Sequence, residues 1–97
     1  MQKLSGDEVQ AQLAQIKGWE VEDGYLKKEF GFKGFSTAIA FMNHLVPVAE
    51  KLDHHPDWSN SYNHVVISLT THSAHGLTKN DFIFAKAADE AAAPLQR

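Results

Sequence analysis

A chain of 97 residues with 43% hydrophobic and 22% charged side chains has the size and balance of one folded domain spanning residues 1–97, which excludes a disordered or low-complexity protein. A net charge of −3 offers phosphate backbones no general attraction, so direct nucleic-acid binding is not expected. The absence of cysteine rules out disulfides, thiolate metal sites and cysteine nucleophiles. The Met1-Gln2-Lys3-Leu4 start has no signal-peptide run, and no apolar stretch approaches the roughly 20 residues of a membrane span, so the sequence predicts a cytoplasmic protein with no membrane partner.

In chain order, Ser5 to Glu8 has the S-x-x-E form of a capping box, flanked by Leu4 and Val9 as a hydrophobic staple, and predicts a first helix. Val9, Leu13 and Ile16 give it one apolar stripe, and Gly18 is placed to stop it. Trp19 and Val21 alternate with Glu20 and Glu22 as in a half-buried strand. Asp23-Gly24 suits a type I′ turn, with Tyr25 to Phe32 as the returning strand.

From Gly34 to Asp53 the period becomes helical. Phe35, Ala38, Ile39, Met42, Leu45, Val46, Ala49 and Leu52 are expected to face the core. Phe41, His44 and Val48 form a second strip that a partner helix is expected to cover in a homodimer or homotetramer. Pro47, inside this helix, is expected to bend it or loosen its last two turns.

Trp58 to Tyr62 reads as a third strand, Asn63 as a turn and His64 to His72 as a fourth. In that last strand Val65, Ile67, Leu69 and Thr71 alternate against His64, Val66, Ser68, Thr70 and His72, so His72 points away from the core. Gly76 breaks the chain. Leu77 to Phe82 resembles a second staple and capping box opening a last helix, and the tail Ala91 to Arg97, with Pro94, is expected to fray. The order α-β-β-α-β-β-α predicts an α+β fold: a four-stranded antiparallel sheet with helices packed on one face.

Six histidines are many for this length, and they concentrate in Asp53-His54-His55-Pro56-Asp57-Trp58 and Thr71-His72-Ser73-Ala74-His75-Gly76. In isolation, paired histidines before a proline are more often solvated turn residues than catalysts. The second cluster, at a strand end leading to a helix N-terminus, is a common place to present groups to a ligand. Two chemistries can be weighed on spacing alone. A metal site drawn from His54, His55, His72, His75, Asp53 and Asp57 is disfavoured, because adjacent histidines do not readily aim at one ion and no recognised ligand spacing is present. A serine hydrolase is weaker still, since no serine has a G-x-S-x-G context.

The block Glu50-Lys51-Leu52-Asp53-His54-His55-Pro56-Asp57-Trp58, with Tyr62-Asn63, Leu69-Thr70-Thr71-His72, Gly76-Leu77-Thr78 and Asp81, closely resembles the pterin-4a-carbinolamine dehydratase family. The motifs match at the family's separation, and the element order agrees over nearly the whole chain. The resemblance implies a lyase that converts 4a-hydroxytetrahydropterin to quinonoid dihydropterin, recycling the pterin for an aromatic amino acid hydroxylase with no metal or organic cofactor. It places His54, His55 and His72 at the active site, with His54 and His72 as the proton-transfer pair and His55 positioning substrate. Glu50 and Asp81 are expected to support the site, Trp58 to wall the pterin, and the backbone of Thr70, Thr71 and His72 to pair with its amide-like edge. His44, His64 and His75 receive no catalytic role. The alternative function is a helix-mediated interaction module, since animal members of the family also bind a homeodomain transcription factor.

Overall fold

The computed structural model describes residues 2–96. Helix α1 (Gly6–Leu13) is opened by the expected box, in which Glu8 N donates to Ser5 Oγ at 3.1 Å and Ser5 N donates to Glu8 Oε1 at 2.8 Å. The helix is shorter than predicted: the chain leaves it at Ala14, and a turn carries Ile16 onto the core before Gly18, at φ +82°, redirects it. Strands β1 (Glu20–Glu22) and β2 (Tyr25–Gly31) form the expected hairpin, and Asp23 and Gly24 both take the positive φ that a type I′ turn requires. Helix α2 (Phe35–Leu52), strands β3 (Asp57–Ser61) and β4 (His64–Leu69), and helix α3 (Lys79–Ala92) complete the order. All strand pairs are antiparallel, in the order β1-β2-β4-β3.

The alternation along β4 sets the layering. Val65, Ile67 and Leu69 are buried and pair with Phe30, Lys28 and Leu26 of β2, while Val66 and Ser68 are half-exposed on the opposite face. The β4 strand is also shorter than expected. It ends at Leu69, Thr71 makes an isolated bridge to Gly76, and His72–Ala74 form one turn of 3-10 helix.

The core face of α2 matches the sequence expectation at Ala38, Leu45 and Ala49, with Met42 and Leu52 packed against it, and differs at its flanks. Phe41 is fully buried, together with Ala38, Leu45 and Ala49, whereas Phe35 and Val46 are 53% and 46% exposed. Aromatic packing decides this: the Phe41 ring centroid sits 4.9 Å from that of Phe30 and 4.8 Å from that of Phe32. Phe30 of β2 and Phe32 just beyond it draw Phe41 into the face shared with Ala38, Leu45 and Ala49, which rotates Phe35 and Val46 to its outer margin. The strip left outside therefore runs through Phe35 and Val46, and the expected Phe41-His44-Val48 strip does not exist as a surface. Pro47 is exposed, and the helix runs unbroken through it to Leu52.

The tail also differs from expectation. Ala91 and Ala92 continue α3, Leu95 packs on the core, and Gln96 Nε2 donates to the Gly31 carbonyl at 2.9 Å; Arg97 lies outside the described residues. No helix among the described residues is long and apolar enough to cross a membrane.

Candidate active site

The end of α2 determines where its histidines point. Asp53 takes the left-handed conformation, φ 49° and ψ 47°, and donates its N–H to the Glu50 carbonyl, while His54 N donates to the Ala49 carbonyl at 3.0 Å. This is a Schellman-type ending with aspartate where glycine is commonest. The reversal turns His54 inward, at 9% exposure, and leaves His55 outside.

His54 Nε2 meets Asp81 Oδ1 at 2.5 Å, and Asp81 is fully buried at N3 of α3. The second oxygen of Asp81 accepts from Thr78 N and from Thr71 Oγ1, each at 2.9 Å. A hydroxyl has one proton, so once Thr71 donates to the carboxylate, its contact of 2.8 Å with Thr78 Oγ1 is made with Thr78 as donor. Helix α2, the end of β4 and the start of α3 are thus tied to one carboxylate. In the neutral ring, donation of Nε2–H to this carboxylate would leave the lone pair on Nδ1. No buried side-chain N or O among the described residues lacks a partner, which is what such a burial requires.

The remaining predicted residues form separate groups. His55 Nε2 contacts Glu50 Oε1 at 2.9 Å on the exposed end of α2. His72 is exposed, as the alternation predicted, and its ring stands edge-on to Tyr25, with centroids 6.3 Å apart and planes at 74°. Thr70 Oγ1 donates to the Gly24 carbonyl at 3.0 Å, fastening this segment to the β1-β2 turn. A cavity of about 200 Å³ there is lined by Asp23, Tyr25, Thr70, His72 and His75. Thr71 links the two halves, since its side chain belongs to the Asp81 network and the next residue is His72.

The strand-edge expectation is altered. Thr71 N donates to the Gly76 carbonyl, Gly76 N to the Thr71 carbonyl and His75 N to the His72 carbonyl, so an added strand at this edge would have to use Thr70 and the His72 N–H instead. Trp58 pairs with Ile67 on the core side of β3 and packs partly buried against the core. Among the described residues, no three His, Asp or Glu side chains are grouped to hold a metal ion. His64 Nδ1 contacts Glu29 Oε2 at 2.7 Å on the surface. Sequence reasoning did not assign Thr78 or Tyr25 to the site. The signal for Thr78 was its capping position beside Asp81; for Tyr25 there was only its place next to a tight turn.

The family model for pterin 4 alpha carbinolamine dehydratase matches residues 2–91. The chain belongs to this family. Among dehydratase relatives, a Picosynechococcus protein is 48% identical over 91% of this chain and 96% of its own, and a Sulfolobus acidocaldarius protein is 44% identical over 87% and 92%. Both bear the name pterin-4-alpha-carbinolamine dehydratase provisionally. The crystal structure of a Brucella melitensis protein described as transcriptional coactivator/pterin dehydratase superimposes with a TM-score of 0.90 at 40% identity, covering 93% of this chain and 98% of that one. A pterin dehydratase-like RuBisCO assembly factor of the alpha-carboxysome, at 22% identity and a TM-score of 0.64, shares the fold alone.

Proposed function

We propose that this protein is a cytoplasmic hydro-lyase that converts 4a-hydroxytetrahydropterin to quinonoid dihydropterin, in service of an aromatic amino acid hydroxylase. The observation that carries the reading is the buried His54–Asp81 pair at the junction of three elements, which supports an imidazole held in one tautomer and orientation. In the elimination the C4a–O bond breaks and the departing hydroxyl takes a proton to leave as water. The ring nitrogen gives up its proton, and the electron pair of that N–H bond forms the C4a=N5 double bond. His54 takes the nitrogen's proton on its free Nδ1. His72, open to solvent and able to recharge, delivers a proton to the hydroxyl. Imidazole is the side chain suited to both accepting and delivering a proton. His55, paired with Glu50, positions the substrate.

The test is dehydration of chemically generated 4a-hydroxytetrahydropterin followed in the ultraviolet, corrected for the spontaneous reaction. Catalysis well above buffer background and indifferent to chelator is expected. A rate equal to background removes the reading, and activity lost to chelator and restored only by added metal replaces it with a metal-dependent one.

A second role as an interaction module, or self-association, is favoured by one observation, the exposed Phe35 and Val46 on the outer strip of α2. We assign that strip to a second copy of this chain, since a small domain is stabilised by such burial. Light scattering of wild type and Val46→Asp is expected to show a dimer or tetramer that dissociates in the variant. A monomeric wild type excludes self-association and leaves the strip to a foreign partner.

A further inference from the structure

The cavity beside His72 is small. At about 200 Å³ it falls below the roughly 300–1,000 Å³ usual for a small-molecule site. It does not end there, because Gly24, His75 and Gly76 also line a second cavity of about 350 Å³ between the β1-β2 turn and the start of α1. Together the two reach the usual range.

Their linings differ in kind. The first is polar, with Asp23, Thr70 and His72. The second is walled by Leu4, Val9, Val21 and Leu77, with Lys3 and Gln10 and no carboxylate among its described lining residues. Val21 is 43% exposed although it alternates with glutamates in β1, so its apolar side chain faces this space. Lys3 is laid across Gly76 so closely that a Cβ there would stand 2.6 Å from Lys3 Cε, which puts the lysine stem against a residue common to both cavities. The walls are fixed by backbone contacts: Leu4 N donates to the Leu77 carbonyl at 2.8 Å, and Thr71 and Gly76 bridge each other.

We propose that the second cavity is a specificity subsite for the substituent on the pterin ring. It would select substrates that carry an apolar or aryl arm ending in a carboxylate over those with a short substituent. This rests on the dehydratase reading, which puts the bicyclic ring beside His72. The aliphatic walls take the arm, and the Lys3 ammonium takes its anionic end by a charge-assisted hydrogen bond.

Two measurements test it. The first is fluorescence titration of the protein with two oxidised pterins that differ only at C6, one bearing a methyl group and one a carboxyphenyl-methyl arm. The second is turnover of the corresponding 4a-hydroxytetrahydropterins. The arm is expected to tighten Kd by roughly tenfold, and Val21→Asp and Lys3→Glu, both at exposed positions, are each expected to remove most of that gain. Equal Kd for the two pterins, or a gain that survives both substitutions, overturns the subsite. Turnover of the methyl substrate without discrimination removes the subsite and leaves the dehydratase reading standing. Discrimination in binding with no turnover of either substrate does the reverse, and no binding of either pterin removes both.

Discussion

The two capping boxes of this protein share one local pattern and have different fates. In both, the acid at N3 accepts the N-cap amide, Ser5 N to Glu8 Oε1 at 2.8 Å and Thr78 N to Asp81 Oδ2 at 2.9 Å. Glu8 is exposed and has no further hydrogen-bond partner among the described residues. Asp81 is fully buried, and its remaining capacity is taken by Thr71 and His54. A shorter side chain in a covered helix start has turned a cap into the hub of a candidate catalytic network. Local sequence makes the box, and the packing of α2 and β4 over it decides whether it does anything more.

The largest expected effect tests that contrast. Asp81→Ala leaves His54, Thr71 and Thr78 without their common acceptor, and losing one member of a buried charged network typically costs about 3–5 kcal/mol. In a domain of this size, each 1 kcal/mol lowers Tm by roughly 4–8 °C. Turnover at saturating substrate is expected to fall by about 10²-fold or more, because His54 loses its fixed tautomer. Asp81→Asn, which keeps an acceptor for Thr78 N, is expected to stay folded and still lose turnover. Glu8→Ala should leave turnover intact. If Asp81→Asn retains wild-type turnover, the network is scaffold and the contrast between the boxes collapses to one of burial.

A smaller but cleaner effect separates the exposed half of the site from the buried half. His72→Ala is expected to lower kcat by roughly 10²- to 10⁴-fold while shifting stability by no more than about 0.5 kcal/mol, because the ring is exposed and its one aromatic neighbour is Tyr25. His55→Ala and Glu50→Gln should raise KM several-fold with little change in kcat, and surface His64→Ala serves as the control. Near-normal kcat in His72→Ala, or a loss that merely tracks Tm, takes proton transfer away from this residue.

Much of this was legible because it is local. Alternation along Val65 to Leu69, the Asp23-Gly24 turn and both boxes each follow from residues a few positions apart, whereas His72 is exposed as expected but from a 3-10 turn, not from the strand. What failed was non-local. Ala38, Leu45 and Ala49 of α2 were placed correctly, but which flank of that face is covered hung on Phe41 meeting Phe30 and Phe32 across the core, which the helical pattern does not specify. The left-handed Asp53, which turns His54 inward and His55 outward, gave no signal because glycine is the usual marker of that turn. For the site, the histidine clusters and their family motif gathered the residues, but the bond from His54 to Asp81 joins positions 27 apart in sequence and needed three dimensions.

The smallest effect belongs to Glu8 and sharpens the comparison from the other side. Its carboxyl pKa is held below the ordinary 4.5, chiefly by the hydrogen bond from the Ser5 amide, then by the Ser5 hydroxyl, with Lys79 a lesser attraction. A carboxyl whose pKa is lower folded than unfolded contributes stability that is complete above the unfolded value. That contribution is lost as pH falls through the folded value, because the unfolded chain then binds the proton more readily. The Tm difference between wild type and Glu8→Ala is therefore expected to be constant from neutrality down to about pH 5, and to shrink as pH drops below 4.5. Glu8→Gln keeps a neutral acceptor for the Ser5 amide and should show no such fall. Thermal melts of the three proteins across this range decide the point. A Tm difference as large in acid as at neutrality would mean that α1 is capped by geometry alone, and that the charge at N3 has no part even in the box that serves only as a cap.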